Sequence, residues 1–320
     1  MGSTRESALV WGLVDDRTSH TGQVLGVIAK LGVPYVVMRL EYNMLARVPS
    51  AILGATMLHI TVPLSPPFPS LVIASGRRMV PVLRAIKKQS PTTRTVCLMS
   101  PQVRAGIDLI VVPEHDVRQK GPQVLTTLAP LHAVTAETLA RMREAWTPQL
   151  AHLPRPYIGL CLGGPTKYGR YSMGEWREVI QRAQTLAGSG SLLVTTSRRT
   201  PKEAIDLCTP LLQSPHLLHR WDRAKDNPYL GILALADAIV VTGDSLSMCA
   251  EAIATGKPVF IFASAKVTPP KHRTLHEALY KRGLAHPFNS MARLDWMPSA
   301  PFDDAGNVAR EIRVRFPEAF

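Results

Sequence analysis

Short apolar runs recur along the first half of the chain: "ALVWGLV" (8–14), "YVVMRL" (35–40), "LVIAS" (71–75), "TVCLM" (95–99) and "DLIVVP" (108–113). Several of the segments between them have helical spacing instead, as in "GQVLGVIAKLG" (22–32) and "RRMVPVLRAIKKQ" (77–89). In the latter, Met79, Val82, Leu83 and Ile86 fall at i, i+3, i+4 and i+7. Continuous apolar strands alternating with amphipathic helices predict a parallel sheet covered on both faces.

The pattern then restarts. A proline-containing stretch of poor periodicity, "AWTPQLAHLPRP" (145–156), leads into "YIGLCL" (157–162), "SLLVTT" (191–196), "HLLHR" (216–220), "AIVVT" (238–242) and "PVFIF" (258–262). Helices are predicted between them at 173–187, 201–213, 228–236 and 245–255. Two series of strand–helix units predict an α/β chain of two doubly wound, Rossmann-like domains, 1–150 and 151–302. "DDAGNVAREIRVRF" reads as a closing amphipathic helix within 303–320, with Val308, Ile312 and Phe316 on its apolar face. Ligands of open α/β sheets bind where strands end, so the loops following strands are the ones to read.

Composition narrows the partners. The 320 residues are 46% hydrophobic and 19% charged, enough apolar material for two cores. Lys and Arg outnumber Asp and Glu by 37 to 24, a formal net charge of +13 that favours anionic partners such as phosphates or an anionic membrane surface. The basic residues form no block of five or six, which argues against a nucleic-acid tail. Cys97, Cys161, Cys208 and Cys249 include no C-x-x-C pair, so core thiols in a reducing compartment are expected rather than disulfides or zinc ligands. The opening "MGSTRESALVWGLVDD" does not read as a signal peptide, and Glu6 breaks the myristoylation pattern. The longest apolar stretch contains Asp237 and falls short of the roughly 18 residues of a membrane span. A cytoplasmic protein, peripheral to a membrane at most, is the expectation.

Three loops of the second half collect candidate chemistry. In "LGGPTKYGR" (162–170), Gly163 and Gly164 allow close approach of backbone to a ligand. Thr166 is a cap or a donor there, and Lys167 and Arg170 add positive charge. The loop is neither G-x-G-x-x-G nor a Walker A motif, so a tight turn is the plain alternative to a dinucleotide site. In "TTSRRTPKEA" (195–204), Ser197 or Thr200 is expected to cap the next helix, with Pro201 at its first position. Arg198 and Arg199 then stand beside a helix N-terminus, where phosphate or carboxylate binding competes with simple solvation.

The third loop lies in "VVTGDSLSMCAEAIATGKPVFIF" (240–262). Asp244 or Ser245 is expected to cap the helix, and Ser247 and Glu251 share one face. A carboxylate leaning toward the helix N-terminus suits two ribose hydroxyls, and the N-terminus itself suits a diphosphate. Pairing with Lys257 is the structural alternative for Glu251. Upstream, in "RAKDNPYLGILALAD" (223–237), Asn227 reads as an N-cap with Pro228 as the first helical residue, or Asn-Pro-Tyr (227–229) as a border to a base or sugar.

In the first half, "VDDRTSHTGQ" (14–23) follows the first strand, with Thr18, Ser19 and Thr21 as possible caps. His20 is placed to deprotonate an acceptor hydroxyl, or to act as a hydrogen-bonding spacer. "ASGRR" brings Ser75, Gly76, Arg77 and Arg78 to another strand end, and "VPEHD" brings Glu114, His115 and Asp116 to a third. None has partners at metal-ligand spacing, so no metal site is predicted.

Taken together, "SHTGQVLGVIAKLG", "LVIASGRR", "DLIVVPEHD", "LGGPTK", "TTSRRTP", "NPYLGILALADAIVVTGDSLSM" and "EAIATGKPVFIF" resemble a known family in order over nearly the whole chain. It is the plant mitochondrial-fission family of the "elongated mitochondria" type with its bacterial homologues. The sequence departs from it at "DDRTSH", where many members are closer to Asp-Gly-x-x-Gly-His. The resemblance implies a GT-B-like arrangement: two Rossmann-like domains facing a cleft, nucleotide-sugar donor in the second, acceptor in the first, and a C-terminal helix crossing back to the first. It places the diphosphate and ribose at Thr242, Gly243, Asp244, Ser245, Ser247 and Glu251. Bacterial members are described as glycosyltransferases, whereas plant members recruit a dynamin-related protein to the mitochondrial surface.

Two functions are therefore expected to compete. One is a metal-independent glycosyltransferase with no cofactor, its nucleotide-diphosphate leaving group stabilised by a helix N-terminus with Arg198, Arg199 or Lys167. Its base would be His20 or Asp16, and its acceptor a molecule such as a lipid-linked saccharide. The other is a non-catalytic adaptor that keeps the fold.

Overall fold

A computed structural model describes residues 9–99, 101, 103–118, 120–222, 227–299 and 302–320. The reading of the first eight residues, and of the Arg223–Asp226 part of the fourth stretch quoted above, lies outside them. The chain divides into two compact units, one of residues up to Ala133 together with Asp303–Phe320, the other Val134–Phe302.

The first unit runs β1 (Val10–Val14), α1 (Thr18–Leu31), β2 (Tyr35–Arg39), α2 (Ser50–Leu53), β3 (Leu71–Ala74), α3 (Val80–Gln89), β4 (Arg94–Leu98), β5 (Leu109–Pro113) and β6 (Val124–Thr127). The strands form one parallel sheet in the order β2-β1-β3-β4-β5-β6. Alternation along β1 divides its side chains between two cores. Val10 and Val14 face α1, packing with Val24, Val27 and Ile28. Trp11 and Leu13 face the other layer, with Val82, Leu83 and Ile86 of α3. The C-terminal helix, Asp304–Arg315, puts Val308, Ala309 and Ile312 into the core beside α1. Its start is capped by Asp303, which accepts a hydrogen bond from the Gly306 N–H.

The second unit runs α4 (Ala136–Leu150), β7 (Tyr157–Leu162), α5 (Met173–Ala187), β8 (Ser191–Thr196), α6 (Lys202–Leu211), β9 (His216–His219), α7 (Tyr229–Leu235), β10 (Ala238–Thr242), α8 (Leu246–Ile253), β11 (Val259–Phe262), α9 (Pro270–Lys281) and β12 (His286–Pro287). Its sheet is parallel in the order β12-β11-β10-β7-β8-β9. Ile158, Leu160 and Leu162 pack under Trp176, Val179 and Ile180 of α5, which a Ser172–Glu175 capping box starts. On the other face Tyr157 and Leu193 meet Ile232 and Leu235 of α7, with Leu150 closing that core. Helix α4 thus packs within the second unit, and its Pro148, read above as part of a linker, lies inside the helix.

Each sheet is six-stranded, parallel and covered by helices, which is the α/β architecture the apolar runs predict. Among the described residues no helix is long and apolar enough to cross a membrane. All four cysteines are free and buried, and burial pushes the Cys97 and Cys161 thiols up to about 12.

Candidate functional site

The order β10-β7-β8 makes the loops after these strands neighbours at one edge of the second sheet, and Asp244 ties them together. Its carboxylate is fully buried and accepts from the Gly164 N–H at 2.9 Å, the Arg199 guanidinium at 2.7 Å and the Tyr171 hydroxyl at 3.3 Å. Beside it the Gly163 N–H donates to Thr242 Oγ1 at 2.7 Å. The Thr200 hydroxyl reaches the Leu162 and Gly163 carbonyls at 2.9 and 2.6 Å and accepts from the Ser197 N–H. Of the residues picked from sequence, Gly163, Gly164, Ser197, Arg199, Thr242 and Asp244 are brought into this one network.

Several of them do something other than expected. A Cβ on Gly163 would lie 2.3 Å from both Asp244 carboxylate oxygens, and one on Gly164 would lie 2.1 Å from the Arg199 carbonyl oxygen. The glycines therefore make room for the protein's own loops. Gly243 likewise backs onto the His276 ring. Thr200 does not cap α6; Pro201 occupies the N-cap position without a side-chain bond, because Thr200 is engaged by β7 carbonyls. Asp244 does not cap α8 either, and Ser245 at that N-cap makes no side-chain cap bond. The first turn of α8 thus keeps its N–H groups free of a side-chain cap, with Ser247 half-buried in it.

The cations separate. Arg199 also donates to the Pro165 carbonyl at 2.9 Å, so it is held on both sides. Arg198 is exposed and takes no part in the network. Lys167 is exposed, its Nζ 5.0 Å from the centre of the Tyr168 ring, and Arg170 is exposed on the same loop. Thr166 holds that loop's turn, its hydroxyl donating to the Val267 carbonyl at 2.8 Å.

Glu251 is half-buried on α8 and accepts from the Tyr229 hydroxyl at 2.5 Å, at the first residue of α7. The Asn227 side chain accepts from the Tyr229 N–H, but it is not the expected N-cap: that position is Pro228, without a side-chain cap bond. Lys257 does not pair with Glu251; its ammonium donates to the Leu233 and Ala234 carbonyls at the end of α7. Desolvation raises the Glu251 carboxyl from an ordinary 4.5 to about 7, against the hydrogen bond from Tyr229. A native carboxyl raised above its unfolded value holds the extra proton in the folded state. Stability is therefore expected to fall as pH rises from about 4.5 to about 7, by up to about 3 kcal/mol. Glu251→Gln should flatten that slope in urea titrations run across this range; an unchanged slope would assign it elsewhere.

In the first unit, His20 lies in the opening turn of α1 with Nδ1 3.3 Å from Asp15 Oδ2. Burial alone would raise the Asp15 carboxyl, but the hydrogen bonds from His20 and the Arg17 N–H outweigh it and hold it below its ordinary range. The His20 ring packs on Gly76, whose φ of 102° and missing side chain admit it; a Cβ there would sit 2.8 Å from the ring. None of Thr18, Ser19 and Thr21 caps α1, whose N-cap position is Arg17. Asp16 is exposed and lines a pocket of about 300 Å³ with Arg39, Glu41, Tyr42 and Arg78. Arg78 lies over the Tyr42 ring at 5.0 Å, whereas Arg77 is exposed. The Ser75 hydroxyl is buried between Gln23 Oε1 and the Leu98 carbonyl, a structural role. Glu114, His115 and Asp116 form a single 3₁₀ turn after β5. Among the described residues no three His, Cys, Asp or Glu side chains gather as a metal site would require.

Residues 19–316 match the family described as Mitochondrial fission ELM1. The chain belongs to that family. An uncharacterized protein of Rickettsia prowazekii, RP120, is 27% identical over 95% of this chain and 97% of its own length. The mitochondrial fission protein ELM1 of Arabidopsis thaliana is also 27% identical, over 77% of this chain and 63% of its own length. Among solved structures, the UDP-GlcNAc 2-epimerase of Methanocaldococcus jannaschii gives a TM-score of 0.57 at 10% identity, covering 96% of this chain and 99% of that one. The Neisseria meningitidis UDP-GlcNAc 2-epimerase, solved with UDP-GlcNAc, gives 0.53 at 12%, covering 97% and 92%. At such identities the likeness is one of fold, and this ELM1-family chain has the GT-B-like fold.

Two partners of the candidate residues, Asp15 and Tyr171, escaped the sequence, and the role of a third, Tyr229, was not read from it. Asp15, not Asp16, is the carboxylate at His20; two adjacent aspartates after a strand give no spacing to choose by. Tyr171 and Tyr229 complete the Asp244 and Glu251 contacts, and each is separated from its partner by a strand or more of chain.

Proposed function

We propose that this chain binds a nucleotide-diphosphate sugar at the ends of β7, β8 and β10 and transfers the sugar without a metal ion. The observation that carries the reading is the uncapped first turn of α8 beside two exposed cations, Arg198 and Lys167, on the adjoining loops. Free N–H groups and the positive end of a helix attract a diphosphate, and fixed cations stabilise the charge that develops as the sugar leaves. Glu251, hydrogen-bonded by Tyr229, is assigned to the ribose. Deprotonation of an acceptor hydroxyl is assigned to His20 in the first unit, oriented by Asp15 through Nδ1.

A non-catalytic reading has its own support. Arg199, Gly163 and Gly164 are fully accounted for by internal bonds and close packing, which a binding protein needs as much as an enzyme does. The test common to both is a thermal-shift titration with UDP, GDP, ADP, CMP and dTDP and their sugars. Ligand at about 100 times its Kd stabilises by about 2.7 kcal/mol, a rise of a few degrees. Arg198→Ala is expected to weaken the responding nucleotide about tenfold or more. Absence of any shift across the panel would overturn the donor site. Binding without transfer, in a variant-sensitive manner, would select the adaptor.

A further inference from the structure

After β2 the chain makes an excursion from Asn43 to His59 whose base is closed by several bonds. Tyr42 and Ile60 form an antiparallel bridge, and the Asn43 N–H donates to the His59 carbonyl at 3.1 Å. The Asn43 side chain donates to the Leu58 carbonyl at 2.7 Å. His59 is wholly buried, 2.8 Å through Nε2 from the Arg78 carbonyl and stacked on Tyr42. Ala46 and Ser50 are buried within the excursion. The segment is therefore anchored and self-packed.

Yet it turns large apolar side chains outward: Met44 is 70% exposed, Leu45 44%, and Ile52 and Leu58 75% each. Tyr35 and Val37, on the edge strand β2 that leads into it, are exposed too. Scattered apolar residues on a surface need no explanation, but this many from one anchored segment indicate a surface that something covers.

Charge says what covers it. From Tyr42 to Ile107 the chain has no Asp or Glu and eight Lys or Arg. Within the excursion the only Lys or Arg is Arg47, which is exposed. A cavity of about 540 Å³, lined by residues 55–58 and 60–64 with Ala85 and Gln89, sets the excursion beside the last turn of α3, where Lys88 is exposed. Apolar side chains beside cations, with no acid within the excursion and Glu41 only at its base, complement an anionic bilayer, acyl chains below and phosphates above. A second copy of this chain is disfavoured as the occupant, because each copy has a formal net charge of +13.

We propose that the 43–59 excursion is a membrane-docking loop, inserting Met44, Leu45, Ile52 and Leu58 into an anionic phospholipid surface with Arg47 and Lys88 at the headgroups. The proposal stands apart from the nucleotide site, which belongs to loops of the other unit. It is tested by floating the full chain with vesicles of phosphatidylcholine, with and without phosphatidylglycerol. The parent is expected to float with phosphatidylglycerol vesicles and far less with phosphatidylcholine alone. Met44→Ser, Ile52→Ser and Leu58→Ser together should lower vesicle affinity by at least about tenfold, and Arg47→Glu alone by about tenfold. All four positions are exposed, so folding should be unaffected, and Met291→Ser with Val314→Ser is the matched control at exposed apolar sites elsewhere. Failure of the parent to float with either vesicle, or equal flotation of the triple variant, overturns the proposal. So does an apolar-dependent dimer that ignores vesicles, which would make a second copy the occupant. The nucleotide thermal shift of the triple variant should match the parent, so either proposal can fail alone.

Discussion

Asp244→Ala is expected to cost about 3–4 kcal/mol of folding stability in urea denaturation. The substitution removes a buried carboxylate that three donors share, leaving the Gly164 N–H and the Tyr171 hydroxyl without their acceptor. Each stranded donor costs about 1–3 kcal/mol, and breaking a buried ion pair from one side costs about 3–5. These costs overlap, since one carboxylate serves all three donors, and the lower part of the ion-pair range applies because Arg199 is 38% exposed and water can solvate it once released. Asp244→Asn keeps an acceptor and should lose less, and Tyr171→Phe should lose about 1 kcal/mol. Arg199→Met in the Asp244→Ala background should add little, since the charge it removes is no longer paired. A loss under about 1 kcal/mol for Asp244→Ala would mean that the network is not what holds these loops.

Gly164→Ala is the second large effect, and its cause is steric. The new methyl would stand 2.1 Å from the Arg199 carbonyl oxygen and 2.4 Å from its carbon. Those are backbone atoms in a loop fixed by the Ser197–Thr200 bonds and by Arg199 itself, so no rotamer change relieves the clash. A loss of about 3 kcal/mol or more is expected, together with loss of any nucleotide-induced thermal shift, because the two loops must part. Gly32→Ala provides the contrast. There the methyl meets nothing within 4 Å and only the left-handed backbone, φ 64°, is strained, so about 1 kcal/mol is expected. Equal losses at the two positions would remove the steric explanation.

Most of the fold was legible because parallel strands buried on both faces are continuous apolar runs. Strands β7, β8 and β10, and helix α5, have the bounds that periodicity predicts. Two of the four edge strands were not legible: β6, "VLTT", is mostly half-exposed, and β12 is two residues long, whereas the edge strands β2 and β9 were read from their apolar runs. Helix α9 escaped because the buried residues of "PKHRTLHEALYK" include a histidine, His276, along with Leu275 and Leu279. At the site, the sequence located the loops but not the division of labour within them. Nothing in "SRRT" tells which arginine meets a carboxylate 45 positions later, and a Gly-Gly pair looks the same whether it admits a ligand or its own neighbour. Glycine signals crowding; only coordinates identify what crowds.

The C-terminal helix has a consequence for how the molecule is made. Ile312 and Val308 complete a core that begins at Val10, yet the whole of the second unit separates them in the chain. On the ribosome, every core residue of the second unit emerges before the first unit has its last helix. The first unit must wait for Val308, Ala309 and Ile312 to fill its core beside α1, while the second, continuous in sequence, is free to fold ahead of it. The unit whose synthesis begins first is therefore the last to have its whole core available.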